Sequence, residues 1–178
     1  MKKILFFVLA LVTFSNCSSS AKQIDGQTID SSETIENVQK DYGFENDKFV
    51  TKKGRTVTIH FIKHGTLMMD VDGYMVHIDP VTMFGTDYSK LPKADLLLVT
   101  HEHKDHFDMD AIGAVTKAGN RFLSNGRVAE MSQKSEAMQI GQTIDLGNNI
   151  MIKATAAYNN SPGKEQFHPK GRDVGFVI

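Results

Sequence analysis

Cysteine is nearly absent: the 178-residue chain has one, Cys17. A lone thiol excludes an intramolecular disulfide and any thiolate zinc cluster. A transition metal held within this chain must therefore be bound by imidazole and carboxylate. Tryptophan is missing altogether, and the 20 Lys and Arg nearly balance the 21 Asp and Glu. A formal net charge of −1 provides no broad basic surface for gripping nucleic acid or anionic lipid. No repeat period runs through the sequence, which excludes a solenoid. What remains, at 40% hydrophobic and 23% charged, is enough for one globular domain with its own core.

The first apolar run is a targeting segment. Lys2 and Lys3 precede an uncharged stretch, residues 4–14. It is short for a membrane span but fits the apolar region of a signal peptide. Phe14-Ser15-Asn16-Cys17 follows at the cleavage position and resembles a bacterial lipobox, with Phe14 and Asn16 atypical of it. The expectation is a signal peptide over residues 1–16 and a lipidated Cys17. That would anchor a bacterial envelope lipoprotein to a membrane, in the periplasm or at the outer membrane. The alternative is an ordinary secretory signal with an incidental cysteine. Residues 17–50, rich in Ser, Asp and Glu, read as a flexible tether with at most a short helix at 33–40. The domain is then residues 51–178.

Within the domain, residues 56–62 alternate with β-branched residues and predict a strand. Residues 67–71 and 74–78 flank Asp72-Gly73, a hairpin signal. Leu96-Leu97-Leu98-Val99 is a continuous apolar run, suited to a strand buried on both faces. Asp108 is placed to cap a helix over 109–117, and residues 121–124 and 127–134 read as a strand and a helix. Residues 138–146 and 150–156 bracket Gly147-Asn148-Asn149 as another hairpin, and a last strand starts at Val174. Hairpins followed by alternating strands and helices predict an α/β fold, a mixed sheet with helices packed on it.

The chemistry sits directly after the buried strand, in His101-Glu102-His103-Lys104-Asp105-His106. Spacing of two along an extended segment turns His101, His103 and Asp105 to one side. Two imidazoles and a carboxylate suit zinc, and also iron or manganese. His106, offset by one residue, points elsewhere. That favours two cations, one on His101 and His103, the other on Asp105 and His106. A metal pair would lower the pKa of a shared water and polarise a substrate oxygen.

His101-x-His103-x-Asp105-His106 resembles the signature of the metallo-β-lactamase superfamily. Lys63-His64-Gly65-Thr66, His77-Ile78-Asp79-Pro80, residues 91–101, Ala157-Tyr158-Asn159 and Phe167-His168-Pro169-Lys170-Gly171 extend the likeness over about residues 55–178. The chain is similar to the branch containing ascorbate-6-phosphate lactonase-like proteins. The resemblance implies an αββα sandwich, of which this chain holds the N-terminal portion, and two zinc ions. It implies His101 and His103 on the first metal, and Asp105 and His106 on the second. Asp105 would also orient the attacking water and carry its proton.

Asp79 would support the histidine loop from behind, the alternative being a strand-ending Asp before proline. The family's next histidine falls where Tyr158-Asn159 stands here. His168 is the candidate substitute ligand, against a loop histidine beside Pro169. His64 reads as a substrate contact or as a plain turn histidine. His77 and His60 read as solvent-facing strand residues. Complete members of the family continue with a Gly-Asp-Thr segment and a later histidine, neither of which precedes Ile178. The expectation is a truncated product, poorly active and marginally stable, with part of its sheet uncovered. The predicted function is metal-dependent hydrolysis of an ester, lactone, amide or phosphodiester of a small substrate. A non-catalytic metal-binding lipoprotein or inactive remnant is the alternative. The near-neutral charge counts against a nuclease or any nucleic-acid partner.

Overall fold

The structure, a computed structural model, describes residues 41–178. The signal segment, Cys17 and the helix expected at 33–40 lie outside the described residues. A seven-stranded mixed sheet runs in the order β1(Glu45–Val50), β2(Thr56–Lys63), β3(Thr66–Val71), β4(Tyr74–Ile78), β5(Leu96–Val99), β6(Arg121–Ser124), β7(Glu136–Ala137). The first four strands form an antiparallel meander, and β4 to β7 pair in parallel. A second sheet holds β8(Thr143–Asp145), β9(Met151–Ala157) and β10(Asp173–Val177), ordered β10-β9-β8 and antiparallel. The helices are short: α1(Met109–Val115) and α2(Gly126–Ser132), with a 3₁₀ turn at Tyr88–Lys90.

Local chemistry explains most boundaries. Asp72 and Gly73 both have positive φ, 51° and 86°, as a two-residue primed turn between β3 and β4 requires. The Asp108 carboxylate accepts from the backbone N–H groups of Asp110 and Ala111 and so caps α1. It also accepts from the Thr82 N–H and hydroxyl, tying the helix start to the segment after β4.

Side-chain alternation sorts the large sheet into two cores. Leu96 and Leu98 join Val76, Ile78, Val57, Met69 and Leu123 on one face, against Ile152, Ala154, Val174 and Phe176 of the small sheet. Leu97 and Val99 face the other way, against Ala111, Ile112, Val115 and Val128 of the helices and Tyr88. All four β5 residues are fully buried. The apolar face expected to lack cover is thus covered by the small sheet.

Three further expectations are corrected. Residues 45–50, assigned to the tether, form edge strand β1, which pairs with β2 from Glu45↔Phe61 to Val50↔Thr56. Its side chains are all exposed, so backbone pairing alone builds it and no hydrophobic pattern announces it. The strand expected over 138–146 shrinks to β8. A turn at Gln139–Gln142, with Gly141 at φ 90°, interrupts it where the chain leaves one sheet for the other.

His77 and His60 are buried rather than solvent-facing, at 0% and 2% exposure. Alternation does place them opposite Val76, Ile78 and Ile59, but a second layer covers that face. His77 Nε2 donates to the Pro92 carbonyl at 3.0 Å, and its ring lies beside Tyr88. His60 meets Tyr42 edge-on, and fully buried Met68 lies between the two histidines in register.

Burial pushes the His77 pKa down to about 4, outweighing its hydrogen bond to Pro92. The folded protein therefore keeps His77 neutral where the unfolded chain takes up a proton. Its contribution is full above the ordinary value of 6.5 and is lost as pH falls toward 4. That gap corresponds to about 3 kcal/mol. Urea unfolding at pH 7 and pH 5 is expected to show a smaller loss of stability in His77→Leu than in the parent chain. Equal losses would remove His77 from the titration.

Candidate metal centre

The centre forms beyond the carboxyl end of β5, where the chain leaves the parallel part of the sheet. Open α/β sheets place sites at such ends, because consecutive loops converge there over a rigid floor. Thr100 opens the loop, and residues 101–106 follow without regular structure. The Phe107 and His106 N–H groups both donate to the His103 carbonyl at 2.8 Å, coiling the loop on itself.

Asp79 holds this loop from beneath. It is 2% exposed and sits just past β4 at φ 46°, an uncommon backbone state for a residue other than glycine. Its Oδ1 accepts from the Thr100 N–H at 2.7 Å. Its Oδ2 accepts from the Thr100 hydroxyl and from His106 Nδ1, both at 2.7 Å. The Thr66 hydroxyl donates to its carbonyl. Thr100 Oγ1 in turn lies 2.9 Å from His101 Nδ1. Since that hydroxyl gives its hydrogen to Asp79, it accepts from the His101 ring. Both His101 and His106 therefore carry their hydrogen on Nδ1, leaving the Nε2 lone pairs free.

Asp173 does the same for a third imidazole. It opens β10 at 1% exposure and accepts from His168 Nδ1 at 2.9 Å. Arg172 donates to it from Nε and Nη2, at 2.7 and 3.0 Å. Burial raises the Asp173 pKa, but the Arg172 and His168 hydrogen bonds outweigh it and hold the carboxylate below its ordinary range. Asn125 Nδ2 reaches both Asp173 and Glu102, at 3.5 Å each. The Asn159 N–H donates to the His168 carbonyl, so the loop between β9 and β10 is closed onto itself.

Two trios of ligand atoms result. His101, His103 and His168 form one; His64, Asp105 and His106 form the other; within each, the atoms lie within 4.8 Å of one another. The rings of the first trio stand 4.6 to 4.9 Å apart, and His101 is 4.1 Å from His106. His101 Nε2 is buried and has no hydrogen-bond partner among the described residues. An unpaired buried nitrogen is costly, and none of the neighbouring imidazoles donates to it. Burial first, then the neighbouring histidines, push His101 down to about 3, so its ring is neutral and ready to donate a lone pair. Burial lowers the His106 pKa, but the Asp79 hydrogen bond and the charges of Asp79, Asp105 and Asp173 outweigh it, and the net direction is up. Imidazole and carboxylate trios with pre-set tautomers fit a borderline divalent cation such as zinc.

The residues singled out from sequence are thus brought together. His101, His103, Asp105 and His106 converge, His168 joins the first pair, and Asp79 lies behind His106. His64 comes to Asp105 rather than standing alone in its turn, with Nε2 3.1 Å from Oδ2. Asp173, Arg172, Thr100, Asn125 and Glu102 escaped the sequence reading. Only a carboxylate directly ahead of the apolar run Val174–Val177 could have pointed to Asp173.

Known proteins resemble this chain in sequence and in fold. The β-lactamase superfamily domain matches residues 58–178. A UPF0173 metal-dependent hydrolase of Anaeromyxobacter dehalogenans is 34% identical over 101 residues, 50% of this chain and 36% of that protein. One of Ignicoccus hospitalis is 32% identical over 139 residues, 69% of this chain and 55% of that protein. A crystal structure from Parabacteroides distasonis, named for a metal-dependent hydrolase, superposes with a TM-score of 0.72 at 41% identity. It covers 75% of this chain and 60% of that one. The chain spans between about a third and a little over half of the curated relatives' lengths.

Asp173→Asn keeps the shape but removes the charge that orients His168. It is expected to weaken binding of the tightest zinc equivalent by about 10–100-fold, read by competition with a chromophoric chelator. An unchanged affinity would make Asp173 a purely structural partner of Arg172.

Proposed function

The chain belongs to the β-lactamase superfamily domain family, and on that basis we propose that it carries the metal-holding part of a hydrolase. The reaction is attack of an activated water on an ester, lactone, amide or phosphodiester of a small substrate. The observation behind it is the pair of ligand trios with the orphaned Nε2 of His101 at their junction. His101, His103 and His168 would hold one divalent cation, and Asp105 and His106 would contribute to a second. Zinc suits the donor set best, with manganese or iron also compatible. When bound, such cations lower the pKa of a water toward neutrality and polarise the substrate oxygen.

The chain's own residues then have separable tasks. Asp105 is part-exposed at the mouth of the loop, where it can orient the water and take up its proton. Burial raises its pKa, but its own backbone N–H, His106 and His64 lower it further, which keeps it ionised as a base. Asp79 and Asp173 hold the imidazoles in one tautomer, so that no ring must reorient during turnover.

We also propose export and lipid anchoring at Cys17, on the sequence pattern of residues 1–17. Among the described residues no helix is long and apolar enough to cross a membrane. Radiolabelled palmitate is expected to label the protein in its host and to leave Cys17→Ala unlabelled. Equal labelling of both would reject the anchor.

The catalytic proposal is tested on the full-length, signal-deleted protein. Zinc content by mass spectrometry is measured beside a screen of ester, lactone and phosphodiester substrates. The expected result is bound zinc with hydrolysis of one class, and loss of both in His101→Ala. A metal-loaded protein inert toward every class would favour a metal-binding role instead.

A further inference from the structure

His64 lies outside the histidine loop, in the turn between β2 and β3. We infer that His64 is a protein ligand of the second cation, completing a His64–Asp105–His106 site that ties this hairpin to the loop. The inference rests on the metal-dependent reading above.

The distances carry it. His64 Nε2 is 3.1 Å from Asp105 Oδ2, and His106 Nε2 is 3.8 Å from that same oxygen. Ligands about 2.1 Å from a tetrahedral zinc stand about 3.4 Å from one another, so both separations match a shared cation. The free nitrogen of His106 is Nε2, because Asp79 takes Nδ1. His64 thus meets the two ligating atoms that the loop leaves available.

The hairpin is also built to deliver this side chain. Its register shifts between Phe61 and Lys63, a bulge that re-aims the residues after it. His64 then adopts φ 54°. A left-handed backbone is uncommon for a residue with a Cβ. Gly65 follows, and a Cβ there would stand 2.8 Å from Cε1 of His106 and 3.2 Å from its Nδ1. The absence of that one carbon lets the turn lie against the His106 ring. Phe84, at 5.8 Å, flanks the His64 imidazole.

A bare ion pair is a poor account of the same arrangement. Both partners are substantially exposed, at 49% and 40%, and exposed pairs add little stability. A weak pair of that kind gives the turn little reason to hold His64 in this conformation. A cation bound by three side chains would give the arrangement a purpose that an exposed pair does not.

The test is a zinc and cobalt titration of the full chain, followed by calorimetry and by cobalt d–d absorption. The parent chain is expected to bind two equivalents. His64→Gly, which relieves the backbone at this position, and His64→Ala are both expected to keep one tight equivalent. They should weaken the other by more than about 100-fold, beyond what losing a supporting outer partner costs. Circular dichroism confirms that the variants fold. His168→Ala should weaken the other equivalent instead. Two unchanged equivalents in His64→Gly would overturn the inference, as would a single equivalent that it leaves untouched. A parent chain that binds no cation would overturn the metal-dependent reading itself.

Discussion

The carboxylate of Asp79 is the constraint on which the centre depends. It is buried, and a buried charge must be compensated by hydrogen bonds. Three donors meet it: the Thr100 N–H, the Thr100 hydroxyl and His106 Nδ1. Through them one side chain fixes the start of the loop, its last histidine and, by way of Thr100, the tautomer of its first. The positive φ of Asp79 shows what the fold accepts to keep this geometry. The Thr66 hydroxyl on its carbonyl connects the same residue to the first hairpin, so both elements at the site share one support.

A second carboxylate plays a matching part in the small sheet. Asp173 orients His168 as Asp79 orients His106, and the Val174 N–H donates to the Thr100 carbonyl at 3.3 Å. The two sheets therefore meet at the loop as well as in the core between them. The alternation of β5 makes this possible. Leu96 and Leu98 bind the small sheet to the large one, while Leu97 and Val99 bind the helices. A strand fully buried on both faces gives the following loop little freedom to shift. Rigidity of that kind is what a set of convergent ligands needs, since their spacing must persist when nothing holds them from within.

Short-range patterns were readable where local physics decides the outcome. The alternation of residues 56–62, the Asp72-Gly73 turn, the Leu96–Val99 run and the Asp108 cap each depend on a few neighbours, and each became the expected element. Local sequence announces nothing where partners distant in the chain decide the outcome. Strand β1 has no hydrophobic face and exists because β2 offers it an edge. His77 and His60 lie on the face that alternation assigned them. Whether water or protein lies beyond that face depends on the segments from Tyr42 to Phe44 and from Tyr88 to Ala94. The break at Gly141 belongs to a change of sheets that no local window contains.

The motif at 101–106 divides in the same way. Its composition and spacing by themselves determined the chemistry on offer: imidazole and carboxylate donors from one short loop, in a chain whose single cysteine cannot build a thiolate cluster. Those are properties of residue type and of backbone period, and they survive in any extended segment. Only the tertiary structure decided which distant residue joins each pair of donors. His168 comes from 67 residues after His101, and His64 from 41 before Asp105. Neither separation carries information about distance in space, because the path between them runs through strands whose pairing is settled by burial and register. The supporting carboxylates are set by the same cause. Asp79 and Asp173 matter for what they touch, and what they touch is fixed when the two sheets close on one another.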